Sequence, residues 1–209
     1  MKGESMEFKI EHTEVYGLNK AIIASGNAMR TVMDDNTLDY TEQDFKRACS
    51  LGSTGTGQGH DNFLNAVIVQ FDLYAPLYMW KQIQRYHFMD FASSQSTMHR
   101  LAKFDVVSQC VEGTDPVILS RYQELLDSYR AMKPCNEKTI LWHSLVASLP
   151  CGFVLGATMT TNYRQLKTIY FQRKDHKLDE WHKFCDWCES LPLFKELCLK
   201  TNFVLKKLD

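Results

Sequence analysis

The chain has 209 residues, and 24 Lys and Arg against 25 Asp and Glu leave a formal charge of -1. That length supports one sizeable core, and with 10 Gly, 5 Pro and no linker, repeat or low-complexity tract, one domain over residues 1–209 is expected. The balanced charge removes the basic face that a general nucleic-acid binder needs, and no apolar run approaches a membrane span, so neither nucleic acid nor membrane is expected as a partner.

The opening "MKGESMEFKIEH" lacks the apolar core of a signal peptide, which points to a cytoplasmic protein. "MEFKIEHTEVYG" alternates enough for a first strand, and "NKAIIASGNAMRTVMDD" reads as a helix. "TEQDFKRACSLG" is a short helix with an N-terminal signal and a glycine stop. The loop "GSTGTGQGHDN" lacks the Gly-Lys-Ser/Thr ending of a phosphate cradle and reads as a connector. "FLNAVIVQFDLY" is a buried strand, and "APLYMWKQIQRY" a helix beginning at Ala75 with proline in its first turn. "DPVILSRYQELLDSYRAMKP" and "EKTILWHSLVASLP" follow as helices, "GFVLGATMTTN" as a second buried strand, "NYRQLKTIYFQR" as a helix, and the tail as two more. The class is α/β or α+β, helix-rich around a modest mixed sheet.

The cysteines, Cys49, Cys110, Cys135, Cys151, Cys185, Cys188 and Cys198, are odd in number and scattered, which suits reduced thiols better than a disulfide framework. "CDWC", three residues after His182, supplies half a zinc pattern with no second pair to complete it, so no metal is expected and Cys185 and Cys188 read as core thiols. Cys151 in "LPCGF" has no nucleophile's surroundings and reads as a small buried thiol.

Two stretches suggest chemistry. In "QRYHFMDFASSQSTMHR", Tyr78, Gln82 and Arg85 share a helix face, and Arg85 reaches the helix end where His87, His99 and Arg100 border a serine-rich loop. Guanidinium and backbone N–H groups around small hydroxyls suit phosphate or carboxylate, and the alternative is a solvated polar turn. In "NYRQLKTIYFQR", Asn162 is placed as an N-cap with Arg164 in the first turn. Leu166, Ile169, Tyr170 and Arg173 share a face, so Arg173 ends an apolar stripe either as a buried cation with a partner or as a cation at the helix C-terminus. At 100° per residue, Arg164 and Arg173 lie on opposite faces.

Taken together, these blocks resemble the flavin-dependent thymidylate synthase family. Its strand, Ala-Pro-started helix with Gln-x-x-Arg-His-Arg, and serine loop resemble "FDLYAPLYMWKQIQRYH" and "FASSQSTMHR". Its Leu-Pro, strand, Asn-x-Arg and helix ending in arginine resemble "SLPCGFVLGATMTTNYRQLKTIYFQRKDHKLDEW", and Gly59-His60 matches a pair ahead of the first strand. The likeness runs from about residue 57 to 190.

The resemblance implies an FAD enzyme that transfers one carbon from methylenetetrahydrofolate to dUMP, with NADPH as reductant, no cysteine nucleophile, and a homotetramer with sites shared between subunits. It implies nucleotide contacts at Gln82, Arg85, Ser94, Gln95, Ser96, Arg100 and Arg173, and flavin contacts at Arg85, Tyr86, His87, Asn162, Arg164 and His60. Arg173 matches the arginine that polarises the uracil ring, and Ser96 lies near the motif serine if one loop residue is inserted. Arg-His-Arg is replaced by Arg85-Tyr86-His87, Glu-His by Asn65-Ala66, and an arginine before Leu-Pro by Val146 and Ala147. These departures leave two alternatives, a related flavin enzyme modifying another pyrimidine nucleotide and a non-catalytic nucleotide-binding oligomer of the same fold.

Overall fold

A left-handed glycine and a side-chain capping box punctuate the first third of the chain. The computed structural model describes residues 7–33, 39–55 and 57–199. β1 (Lys9–Tyr16) turns at Gly17, whose left-handed φ of 78° a side chain would strain, into α1 (Leu18–Ala24). The helix expected over 19–35 is shorter than its apolar pattern: Ser25 returns its hydroxyl to Ile22 O (2.7 Å), and a 3-10 turn follows at Asn27–Met29. Residues 34 and 35 of that expectation lie outside the described residues.

α2 (Glu42–Gly52) begins with a complete capping box, in which Thr41 Oγ1 accepts from Asp44 N–H (3.1 Å) and the Asp44 carboxylate from Thr41 N–H (3.0 Å). The Thr41 hydroxyl first, then its backbone N–H and Arg47, hold the Asp44 carboxyl at about 2, below its ordinary 3.8. A depressed folded-state value means the contribution is complete above pH ~4 and is lost as pH falls through ~2. Asp44→Asn is therefore expected to lower the urea midpoint at neutral pH, with the gap to the unaltered chain narrowing from pH ~4 to ~2.

A 3-10 turn at Asn62–Ala66 displaces the start of the next strand, so β2 spans Ile68–Pro76. Val69, Phe71, Leu73 and Ala75 are buried while Ile68 and Gln70 are exposed, so the strand alternates. Pro76 is extended (ψ 152°) and caps α3 (Leu77–Ile83), which starts two residues later than expected because Ala75 and Pro76 finish the strand. The serine-rich stretch expected as a loop is a short exposed strand, β3 (Asp90–Ser94), followed by α4 (Thr97–Arg100). Then come α5 (Pro116–Ala131), capped by Asp115, α6 (Asn136–Ala147), β4 (Val154–Asn162), α7 (Tyr163–Arg173), α8 (Asp179–Ser190) and α9 (Phe194–Cys198).

The helix-rich α/β architecture is as expected, but the mixed sheet is not. The four strands lie in the order β1-β2-β4-β3, and neighbouring strands run in opposite directions. Between β2 and β4, Tyr163 N–H donates to Val67 O at one end and Leu77 N–H to Phe153 O at the other. Between β4 and β3, Gln95 N–H donates to Gly156 O, and the Thr161 hydroxyl to Phe88 O. The paired residue numbers fall along one strand as they rise along the other, which is the antiparallel register.

The chain divides into two compact units. The first comprises Met1–Glu11, Asp72–Tyr86 and Phe91–Met159, with a core that includes Leu101, Val106, Tyr122, Leu126, Leu145 and Phe153. The second comprises His12–Phe71, His87–Asp90 and Thr160–Asp209. Its interior holds Ile22 of α1, Leu166 and Ile169 of α7, Trp181 and Phe184 of α8, and Phe194 of α9. Cys185 and Cys188 belong to this interior, where burial pushes both thiols up. Cys151 is exposed, against the expected buried thiol, because it sits in the turn between α6 and β4.

Candidate functional site

In the first unit, the end of α3 and the β3 edge carry the candidate residues. Gln82 is half-buried in the last turn of α3; Arg85 lies beyond the helix in a turn, exposed, with no side-chain partner among the described residues. Tyr86 follows, half-buried. Ser96 caps α4 by accepting from His99 N–H (3.2 Å), which commits a lone pair and leaves its proton to donate. Arg100 is exposed at the end of that helix and, like Arg85, has no side-chain partner among the described residues.

Ser94 and Gln95 meet in an open cavity of about 210 Å³, lined also by Asp72, Tyr74, Ser93 and Thr158. Its polar groups are hydroxyls, a carboxylate and an amide, with no cation in the lining. The Thr158 hydroxyl donates to Asp72 Oδ1 (2.5 Å). Gln95 accepts Gly156 N–H on its carbonyl oxygen (2.9 Å), so its NH2 group is the donor left over. The cavity therefore suits a neutral, hydrogen-bonding ligand group, whereas the exposed guanidinium groups of Arg85 and Arg100 suit an anion.

Gly156 also lines the cavity. A β-carbon there would lie 2.8 Å from Tyr74 Cε1 and 3.4 Å from Gln95 Oε1. Gly156→Ala is expected to lower stability by about 1–3 kcal/mol by displacing the Tyr74 ring, read as a fall in thermal midpoint.

In the second unit, His60 is exposed in the turn that follows Gly59, whose φ is 80°. His87 is also exposed. Asn162 ends β4 and caps α7, its side-chain oxygen accepting from Gln165 N–H (2.9 Å), as its position implied. Arg164 Nε donates to Asp61 Oδ1 (3.0 Å); its terminal nitrogens have no partner among the described residues, and the side chain is 34% exposed. That outer edge fits an anionic group.

Arg173 stands in the last turn of α7, half-buried, with its guanidinium 4.6 Å from the centre of the Trp181 ring. Both readings of its position apply, since it closes the helix and also has an aromatic partner inside. Residues 164 and 173 are separated by about 14 Å along the helix axis, so Arg164 and Arg173 serve different parts of any ligand or different ligands. His176, beside Arg173, has its pKa lowered by burial first and by that cation second, which favours neutral imidazole.

No family model matches the sequence, and no curated protein does. Solved structures do match. The flavin-dependent thymidylate synthase of Helicobacter pylori, complexed with FAD and dUMP, superposes with a TM-score of 0.67 at 16% identity, over 93% of this chain and 100% of that one. The fold is that of flavin-dependent thymidylate synthase. A second structure of the Helicobacter pylori enzyme, also with FAD and dUMP, gives a TM-score of 0.64 at 16% identity, over 92% and 97% of the two chains. A UMP/dUMP methylase from Streptomyces cacaoi, bound to 5-bromo-dUMP, gives 0.64 at 14%, over 93% and 95%.

Within this flavin-dependent thymidylate synthase fold, motif reasoning missed Asp61 and Lys167. Lys167 Nζ is buried and donates to Gly52 O (2.7 Å), Thr54 O (2.6 Å) and Asp61 Oδ2 (2.8 Å). The available signal was a lysine inside the apolar stripe of α7, between Tyr163 and Tyr170, where a charge needs a partner. Nothing in the loop sequence named Asp61 as that partner. Among the described residues, no group of three or more His, Cys, Asp or Glu is arranged to hold a metal ion, and no helix is long and apolar enough to cross a membrane.

Proposed function

We propose that the protein is a divergent flavin-dependent pyrimidine-nucleotide methylase, transferring one carbon from methylenetetrahydrofolate to dUMP with FAD as redox carrier and NADPH as reductant. The observation that carries this reading is α7: within a fold shared over 93% of the chain with such an enzyme, it carries Asn162, Arg164 and Arg173 at the positions the motif resemblance gives them, with the outer edge of Arg164 unclaimed among the described residues. Residues 1–209 act as one domain, and the protein works as a homotetramer in the cytoplasm.

When bound, FAD supplies two electrons from NADPH to the methylene carbon donated by the folate, so that the nucleotide gains a methyl group. Arg164, with Asn162, His60, Arg85, Tyr86 and His87, holds the flavin, the guanidinium edge suiting its pyrophosphate. Gln82, Arg85, Ser94, Gln95, Ser96 and Arg100 hold the nucleotide. The exposed cations Arg85 and Arg100 suit its phosphate, whereas the cavity containing Ser94 and Gln95, with a carboxylate and no cation, suits its uncharged parts. Arg173 is a fixed cation that stabilises negative charge developing at N3 and O2 of the uracil ring and so activates the attacking carbon; Ser96 acts as a hydroxyl donor.

A second reading concerns the nucleotide. The likeness to a UMP/dUMP methylase is nearly as good as that to the thymidylate synthase, which supports UMP as an alternative substrate. Incubation with FAD, NADPH, methylenetetrahydrofolate and either dUMP or UMP, followed by mass spectrometry, is expected to show a methylated nucleotide from at least one. No product from either, at saturating FAD, contradicts methylase activity and favours a non-catalytic nucleotide-binding protein of the same fold.

A further inference from the structure

Asp61 and Lys167 are each only 1% exposed, and neither belongs to a matched motif position. The lysine ammonium has three donors, and all three are committed, to Gly52 O, Thr54 O and Asp61 Oδ2. This fixes the carboxylate in place and ties the glycine-rich loop to α7. The other carboxylate oxygen accepts from Arg164 Nε. An arginine held through Nε keeps its plane, with one terminal nitrogen on the same edge as the anchored N–H and the other beyond it. Those nitrogens have no partner among the described residues, so the anchored carboxylate determines where the unclaimed edge of the guanidinium points.

We propose that Asp61, locked by Lys167, is a positioning residue that fixes Arg164 with its outer guanidinium edge presented to an anionic group of FAD. The inference rests on the flavin reading above and adds a residue pair outside the motif. A purely structural pin holds the loop to the helix with no dependence on Arg164; a positioning residue acts through Arg164 alone.

A double-mutant cycle on the full chain separates these roles, with FAD affinity measured by flavin fluorescence for the unaltered protein, Asp61→Asn, Arg164→Ala and the combined variant. Asp61→Asn is expected to weaken FAD binding about tenfold when Arg164 is present and by less than about twofold when it has been replaced. Equal losses in both backgrounds overturn the positioning role and leave the flavin reading intact. If Asp61→Asn alone does not fold by circular dichroism, the cycle is run with Asp61→Asn/Lys167→Met, which removes both buried charges together, and the same criterion applies. Absence of FAD binding by the unaltered chain overturns the proposed function, and this inference with it.

Discussion

Arg173→Ala is expected to lower turnover by about 10²–10³-fold while leaving flavin bound, because a fixed cation aimed at developing negative charge contributes on that scale. The folded state loses far less. The guanidinium packs on Trp181 at 4.6 Å, and a cation–π contact contributes ~0.5–2 kcal/mol, too little to unfold a chain with an aromatic interior around α7 and α8. The two readouts therefore separate. Turnover of dUMP or UMP and the visible absorbance of retained FAD are measured on the same preparation, with the thermal midpoint as control. Loss of turnover with flavin retained supports Arg173 as the group that polarises the pyrimidine. Unchanged turnover removes that role, and loss of both activities together with a large fall in midpoint assigns the residue to the fold.

Lys167→Met is expected to cost about 3–5 kcal/mol of stability, read as a lower urea midpoint, because it breaks a buried ion pair from one side. Methionine matches the volume but donates nothing, so the carbonyls of Gly52 and Thr54 lose their donor and the Asp61 carboxylate keeps Arg164 as its remaining cation. Asp61→Asn/Lys167→Met should recover part of the loss, since no buried charge is then left uncompensated. A Lys167→Met variant as stable as the unaltered chain contradicts the bonding described for this centre.

Local chemistry was legible in the sequence wherever partners lie within one turn of each other. The N-terminal signal of α2 and the Asn162 cap are such cases, and both appear at their expected places, whereas Gly52, expected as the stop of α2, is its last helical residue and Ser53 forms the C-cap. The strand β3 was not legible, because "DFASS" is an exposed edge with small hydroxyls and no apolar alternation, so it read as a loop. Sheet direction was not legible either, since alternation marks a strand and says nothing of its neighbour's sense.

At the site, sequence spacing placed Asn162 and Arg164 at the start of α7 and Arg173 at its end, and suggested which charges to examine. The interactions that orient them are distant in the chain. Lys167 and Asp61 are 106 positions apart, and Gln95 and Gly156 are 61 apart. Folding brings such pairs together through the packing of whole elements, which no local window contains. The resemblance supplied motif positions, and the tertiary contacts supplied the reason Arg164 faces outward while its Nε is anchored.

The measurement that tests the central claim most directly is the visible absorption spectrum of the purified protein incubated with FAD, before and after addition of dUMP. A bound-flavin band that shifts on adding the nucleotide is the predicted result, because flavin and pyrimidine must share one site for a carbon to be reduced between them. No bound flavin even at high FAD concentration contradicts the account, and Arg85, Arg100 and Arg164 then serve some other anion.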